Sequence, residues 1–383
     1  MKLLFLVRDL AVGGSQRQLA LLAAALARRR HDVAVVVLYP GGALEALLGG
    51  SGVRLLSIAK SSRWHAIAPL LQLRRLFLSE RPHVIYAFLP TQTTIAALLL
   101  PRPGSKLVFG VRATGMQLDH YDALNALTYR SEAWLSGRAD LIIANARAVR
   151  ADAIARGLPA DRIAVVANGI DTNLMRPDAA AGRALRRAWG LSDAAYVIGC
   201  VARLDPMKDH ATLLSAAAGF AREHSDARFV CVGDGPLRDE LKGLARSLAL
   251  TDRIVWAGEI ADTRAAYNAF DVATLSSAFG EGFPNAVGEA MACGIPVAAT
   301  DVGDVRAIAG STGEVVPPKN PEALCAAWQR LRARRARDPA LGEAARGAIV
   351  SNYGLEIMVR RTEEVLAQVA AERPAQEIAH EFA

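Results

Sequence analysis

The sequence predicts an α/β protein made of two consecutive, doubly wound parallel sheets, and three observations carry that prediction. Strand-like runs alternate with helix-like ones along almost all of the 383 residues. The strand-like runs are near-continuous apolar stretches, the pattern of a parallel sheet covered by helices on both faces. The series pauses once near the middle and then starts again, in a chain long enough for two domains of ordinary size.

Taken in order, "KLLFLV" opens the first series. It is apolar only from Leu3 to Val7 before Arg8 and Asp9, which is too short for the core of a signal peptide. With no small-residue cleavage site after it, the run reads as a first buried strand. A helix over residues 15–29 leads to "VAVVVLY", and "RPHVIYAF", "KLVFGV", "DLIIAN" and "RIAVVAN" continue the series. Residues 168–195 are turn-rich with one short helix, and they read as an interdomain linker. The second series begins at "YVIGCVA", followed by a helix over 210–223, "RFVCVG", a helix over 236–249, then "RIVWAG", "VATLSS" and "IPVAAT". Helices over 321–337, 341–351 and 355–370 close the chain, and the last dozen residues read as frayed. Two open sheets in succession imply a cleft between them, with ligands outside the carboxyl ends of the strands.

Composition excludes several classes. Hydrophobic residues make up 52% and charged residues 22% of the chain, as in a globular protein. No uncharged apolar run reaches the ~18 residues that a membrane-spanning helix needs. The four cysteines, Cys200, Cys231, Cys293 and Cys325, have neither metal-ligand nor CxxC spacing and read as reduced thiols in a cytosolic protein. The net charge of +7 is uneven: residues 1–176 hold 22 Lys+Arg against 11 Asp+Glu, and the remainder is slightly acidic. A basic first half points to an anionic partner, for which a phospholipid surface or a phosphorylated lipid suits; a solvated arginine-rich surface is the alternative. Nucleic acid is not expected, because aromatics are only 6% and no basic helix alternates with stacking residues.

Three loops carry chemistry, each after a strand. In "RDLAVGGSQRQ", Gly13 and Gly14 let the backbone approach a ligand, Ser15 suits an N-cap, and free amides there suit a phosphate. The loop is not GxGxxG, and a plain tight turn remains the alternative. In "VARLDPMKDHATLL", Arg203 and Lys208 stand between a strand and a helix start, an end that favours anions. Both cations together with the helix amides would hold a diphosphate, unless they are a solvated surface pair. In "EGFPNAVGE", Gly282 permits a tight approach and Pro284 suits the first helical turn. Glu281 and Glu289 bracket that helix start, roughly 12 Å apart at helical rise. That separation suits gripping two hydroxyl-bearing groups on either side of a phosphate, and it exceeds the roughly 5–9.5 Å of carboxylates flanking one scissile bond. The pattern is that of a nucleotide-sugar site.

These motifs, in this order, resemble the retaining glycosyltransferases of family 4, which have the GT-B fold: two Rossmann-like domains facing across a cleft. "EGFPNAVGEAMACGIPVAATDVGDVRAIAG" resembles the family's E-x7-E signature, "VARLDPMKDH" its Arg/Lys segment and "VVANGIDTNLMRP" its interdomain turn. The resemblance implies an acceptor-binding domain over 1–170, a nucleotide-sugar-binding domain over 171–352, and a C-terminal helix of about 355–372 packing back on the first. It implies that Glu281 binds hydroxyls of the donor sugar, Glu289 those of the ribose, and that Arg203 and Lys208 neutralise the departing diphosphate. It also implies that Gly282, Phe283, Pro284 and Asn285 line the sugar and phosphate, that Gly13 and Gly14 close on the phosphate, and that the base lies near Gly258 and Glu259. Where many members carry a histidine for sugar or acceptor contact, this chain has Arg112, with His120 eight residues on. Either Arg112 takes over that contact or the acceptor geometry differs, and a structural role for Arg112 is the alternative.

The expected activity is transfer of a hexose-type sugar, with retention, to a glycan or polyprenyl-linked acceptor in cell-surface polysaccharide or glycolipid assembly. No cofactor is expected beyond the nucleotide-sugar co-substrate, with a UDP-sugar expected ahead of a GDP-sugar. No DxD spacing occurs in the sequence, so no metal is expected. The expected location is the cytoplasm, peripheral to an anionic inner membrane face. A nucleotide-sugar epimerase of the same architecture, a non-catalytic nucleotide-sugar-binding module and an NAD-dependent oxidoreductase are the alternatives; the last lacks a dinucleotide fingerprint.

Overall fold

The apolar runs fold as strands, and every ladder between them is parallel. The computed structural model describes residues 1–58, 67–100, 104–114 and 123–383. The first series is β1 (Lys2–Val7), α1 (Gly14–Arg28), β2 (Asp32–Val37), β3 (Arg54–Ser57), α2 (Ile67–Glu80), β4 (Val84–Phe88), α3 (Pro90–Leu99), β5 (Lys106–Val111), α4 (Ala123–Leu135), β6 (Leu141–Ala144), α5 (Arg147–Ala155) and β7 (Ile163–Val165). Its sheet runs β3-β2-β1-β4-β5-β6-β7. β1 lies inside it and is buried from Leu3 to Val7, which is why it reads as one apolar run. The steps β3 to β4, β4 to β5 and β5 to β6 cross the sheet in one direction. Right-handed crossovers therefore set α2, α3 and α4 on one face, with α1 on the other. α3 packs against both α2 and α4.

The second series is α6 (Ala179–Ala188), β8 (Tyr196–Val201), α7 (His210–Glu223), β9 (Ala227–Val232), α8 (Arg238–Ser247), β10 (Ile254–Gly258), α9 (Thr263–Asn268), β11 (Val272–Leu275), α10 (Asn285–Ala292), β12 (Val297–Thr300), α11 (Val305–Ala309), β13 (Glu314–Val316), α12 (Pro321–Arg337) and α13 (Leu341–Tyr353). The sheet order is β10-β9-β8-β11-β12-β13. Its core centres on the fully buried Trp328, edge-on to Phe220 and donating from Nε1 to Thr274 Oγ1 at 2.9 Å. β8 carries Gly199 at its centre because a Cβ there would stand 2.3 Å from the Phe270 ring. Two more helices end the chain, α14 (Leu355–Ala370) and α15 (Ala375–Glu381).

The chain divides into two compact units, one of Met1–Gly169 with Glu356–Ala383 and the other of Ile170–Leu355. Most of the stretch expected as a linker belongs to the second unit. Gly182 lies so close to Asn268 that a Cβ would meet its carbonyl oxygen at 2.1 Å, and Asp178 and Arg186 pair with Arg264 and Asp271, each at 2.8 Å. The outgoing and returning backbones are bonded side by side: Ile170 N donates to Tyr353 O, and Leu355 N to Ile170 O, both at 2.8 Å. The chain end is not frayed. α14 sets Glu356 and Glu363 on Arg29 at 2.6 and 2.7 Å, and α15 buries Ile378 and Ala379 and places Phe382 O against Val165 N. All four cysteines are free thiols; Cys325 is half-buried and the others are buried, and burial pushes the Cys200 thiol up to about 12. Among the described residues no helix is long and apolar enough to cross a membrane.

Candidate functional site

In the second unit the strand order reverses between β8 and β11, which is where open α/β sheets bind ligands. The loops leaving those two strands meet there through charge. Lys208 Nζ donates to Glu281 Oε1 at 2.5 Å, and Ser277 Oγ donates to the same oxygen at 2.6 Å. Glu281, Ser276 and Ser277 are buried. Ser276 Oγ grips Lys208 O at 2.7 Å, and Thr300 Oγ1, at the end of β12, grips Ser277 O at 2.6 Å. Three successive strand ends are thus stitched together around one ion pair.

The loop after β8 is shaped by Asp205, whose role the sequence reading missed. Its backbone carbonyl and carboxylate close the 3-10 turn Pro206–Lys208, both accepting from Lys208 N at 3.2 Å. Its other oxygen takes Arg203 Nε at 2.6 Å. Arg203 remains 68% exposed, so only one edge of its five-donor fork is engaged. The two cations expected to face an open helix end are each held by a carboxylate instead. The helix end is also capped: Asp209, in the left-handed region at φ 44°, accepts from Thr212 N at 3.2 Å and opens α7. The signal was in the sequence, since two aspartates flanking Pro206-Met207-Lys208 fit a turn followed by an N-cap.

The loop after β11 leads into α10, whose first residue is Asn285. Pro284 stands at the N-cap position rather than in the first turn, and no side chain caps that end. Phe283 is buried edge-on to Tyr353. Gly282 is pinned from behind: Asp304 N donates to its carbonyl at 3.0 Å, and a Cβ on Gly303 would meet that oxygen at 2.3 Å. Glu289 lies one turn into α10 and accepts from the fully buried Tyr267 hydroxyl at 2.9 Å. Beside these, Gly258 ends β10 at φ 68°, and its carbonyl takes Gly233 N at 2.7 Å; Glu259 follows it. Gly233 and Gly235, after β9, touch the backbone of Ala202 and Leu204 so closely that a Cβ on either would clash at 2.1 and 2.4 Å. The sequence reading passed over this Gly-Asp-Gly turn, although two glycines after a strand mark a close backbone approach.

In the first unit, α1 begins at Gly14 with the extended Gly13 as N-cap and no side-chain cap. Ser15 therefore lies inside the helix and is not its cap. Arg112 follows β5. Its Nη2 donates to Tyr86 OH at 2.6 Å and its Nη1 to Asn168 Oδ1 at 3.3 Å, while the guanidinium lies 4.2 Å over the Phe88 ring. Gly110 keeps space for those rings, since a Cβ would stand 3.1 Å from Tyr86. Burial lowers the Arg112 pKa, and the described residues offer it no carboxylate. His120 lies outside the described residues.

Comparison with known proteins agrees with this architecture. Residues 12–174 match the model of Glycosyltransferase Family 4, and residues 195–334 that of Glycosyl transferases group 1. A GDP-mannose-dependent alpha-(1-6)-phosphatidylinositol monomannoside mannosyltransferase of Mycobacterium tuberculosis is 29% identical over 54% of this chain and 56% of its own length. A D-inositol 3-phosphate glycosyltransferase of Kineococcus radiotolerans is 34% identical over 62% of this chain and 59% of its own. The chain thus matches little more than half the length of these relatives. The Anabaena HepE protein, crystallised with UDP-glucose, superposes with a TM-score of 0.85 at 23% identity, over 96% of this chain and all of that one. Together the two matched segments and the two parallel-sheet units place the chain in glycosyltransferase family 4, with the GT-B fold.

Proposed function

We propose that the chain transfers a hexose-type sugar from a nucleoside-diphosphate sugar to a glycan or lipid-linked acceptor, with retention of configuration and without a metal. One observation carries the reading: a lysine–carboxylate pair is built into the switch point of the second unit's sheet, beside the uncapped start of α10. Such an arrangement is preorganised for charge that develops on a leaving group.

In this reading the donor diphosphate lies against Arg203, Lys208 and the α10 amides. Lys208 has three donors and gives one to Glu281, so the ammonium can also take a phosphate oxygen. Asp205 aims Arg203 and shapes the turn that aims Lys208, so one carboxylate orients both cations. Glu281 meets hydroxyls of the transferred sugar, and Glu289, steadied by Tyr267, those of the ribose. Gly282, Phe283, Pro284 and Asn285 line the sugar and phosphate, and Gly258 and Glu259 the base. In the first unit, Gly13 and Gly14 offer amides to the donor phosphate, and Arg112 or His120 contacts the sugar or acceptor. Retention is written with the departing diphosphate oxygen accepting the acceptor's proton, so no protein nucleophile is assigned.

The donor is proposed to be a UDP-hexose ahead of a GDP-hexose. HepE supports the first by its bound ligand and the mycobacterial relative the second by its name, so both belong in the test. A thermal-shift screen of UDP-, GDP- and ADP-hexoses, followed by nucleoside-diphosphate release with lipid and glycan acceptors, checks the reading. Stabilisation by one nucleotide class and acceptor-dependent release support it; a donor that binds without release in any acceptor's presence leaves only a binding module.

A further inference from the structure

We infer that the α2–α3–α4 face of the first unit is a docking surface for an anionic lipid bilayer. Outward stripes on two of its helices carry the inference. On α2, Ile67, Leu71, Arg74, Arg75 and Leu78 recur at helical spacing on one side and all are exposed, while Leu73 and Phe77 fill the buried side. On α4, Leu127, Arg130 and Trp134 repeat the pattern, and Trp134 is 82% exposed. Between them α3 turns out Leu98. The three helices share one face of the sheet, so their stripes lie on one side of the unit.

A soluble helix keeps its outward face polar; here large apolar side chains and arginines share it. The charge pattern selects the occupant. α2, α3 and α4 contain only two acids, Glu80 and Glu132, and both are engaged away from these stripes. Glu80 bonds Arg54 and Lys2, and Glu132 is fully buried against Thr93 and Arg156. Among the described residues Arg74, Arg75 and Arg130 have no ion-pair partner. Aliphatic side chains, a tryptophan and acid-free arginines match an acyl boundary beneath anionic headgroups. A second copy of the chain fits poorly, because an isologous contact would set arginine stripe against arginine stripe.

The inference rests on the first unit alone and not on the proposed reaction, so it is tested without donor or acceptor. The full chain is co-sedimented with phosphatidylglycerol–phosphatidylcholine vesicles and with phosphatidylcholine vesicles, at low and high salt. Binding is expected only to the anionic vesicles, weakening with salt, and weakening about five-fold for each of Arg74→Ser, Arg75→Ser and Arg130→Ser. Arg28→Ser, exposed on α1 across the sheet, is expected to bind like the unaltered chain. Brominated acyl chains are expected to quench the fluorescence of the unaltered chain but much less that of Trp134→Ser, whose melting curve controls for folding. Equal binding to both vesicle types, unchanged binding of the arginine variants, or a chain dimer that Trp134→Ser breaks while vesicles are ignored would each overturn the inference.

Discussion

Lys208 and Glu281 stand 73 residues apart in the chain and 2.5 Å apart in space, across the point where their sheet's strand order reverses. Both are largely shielded from water, so the pair is a site element and not surface decoration. Lys208→Met should slow transfer by about 100-fold or more, the usual loss for one preorganised contact to developing charge. It should also destabilise the unit by about 3–5 kcal/mol, because the buried Glu281 loses the cation that offsets its desolvation. Adding Glu281→Gln should restore most of the melting temperature and none of the activity, which separates chemistry from folding.

Glu289 acts on the donor before chemistry in this account. Glu289→Ala should raise the donor dissociation constant by about ten-fold, as expected for a lost hydrogen bond to a charged group, with a smaller effect on turnover of bound donor. Tyr267→Phe, which removes only the hydroxyl that steadies Glu289, should give a weaker version of the same defect. Isothermal titration with the nucleoside diphosphate reads both; a turnover defect with unchanged binding would place Glu289 elsewhere in the cycle.

Gly303 is a steric prediction. It has φ 60°, and a Cβ would come within 2.3 Å of Gly282 O and 2.7 Å of Glu281 O. Gly303→Ala must displace the backbone that carries Glu281, so donor binding should weaken by an order of magnitude or more while the circular dichroism spectrum is kept. Normal donor affinity in a folded Gly303→Ala would mean that the loop after β11 does not hold the sugar nucleotide.

His210 gives a pH dependence. Burial at the start of α7 lowers its pKa to about 4, against an ordinary value of 6.5. Between those values the unfolded chain takes up the proton that the folded chain refuses, so stability falls as pH drops from 6.5 towards 4 and is fully present above 6.5. The difference in stability between the unaltered chain and His210→Gln should therefore shrink across that window and stay flat from pH 7 to 8. Denaturant melts at fixed pH values measure it; parallel curves for the two proteins would show that His210 titrates normally.

The tail is a folding prediction. Ile378 is buried on α15, and Phe382 O accepts from Val165 N at the sheet's edge. Ile378→Ala should cost about 2–4 kcal/mol. A loss near zero by chemical denaturation would return the terminus to the frayed state read from its sequence.

That misreading shows what the sequence carries. Residues buried on both faces of a parallel sheet leave unbroken apolar runs, and the alternation of such runs with helical patterns made β1, β2, β4 to β7 and β8 to β12 legible. The edge strands β3 and β13 were not: "RLLS" is exposed at alternate positions, and Glu314–Val316 is three residues long. α15 escaped notice because only two of its side chains face the core. At the site, Lys208, Glu281 and Glu289 were legible because their loops announce themselves through Pro, Gly and helix starts. That Lys208 and Glu281 bond each other was not, since the strand order that joins them is a long-range property. Asp205 and Ser277 act on chain neighbours, the first on Arg203 and Lys208 and the second on Glu281, so their signals were local and were passed over.

The most direct test of the central claim is a crystal structure of the chain with the nucleoside diphosphate that the thermal-shift screen selects. The account predicts a phosphate oxygen about 3 Å from Lys208 Nζ, Arg203 turned onto the same diphosphate, and the ribose against Glu289. A well-defined diphosphate bound away from the loops after β8 and β11 would contradict it.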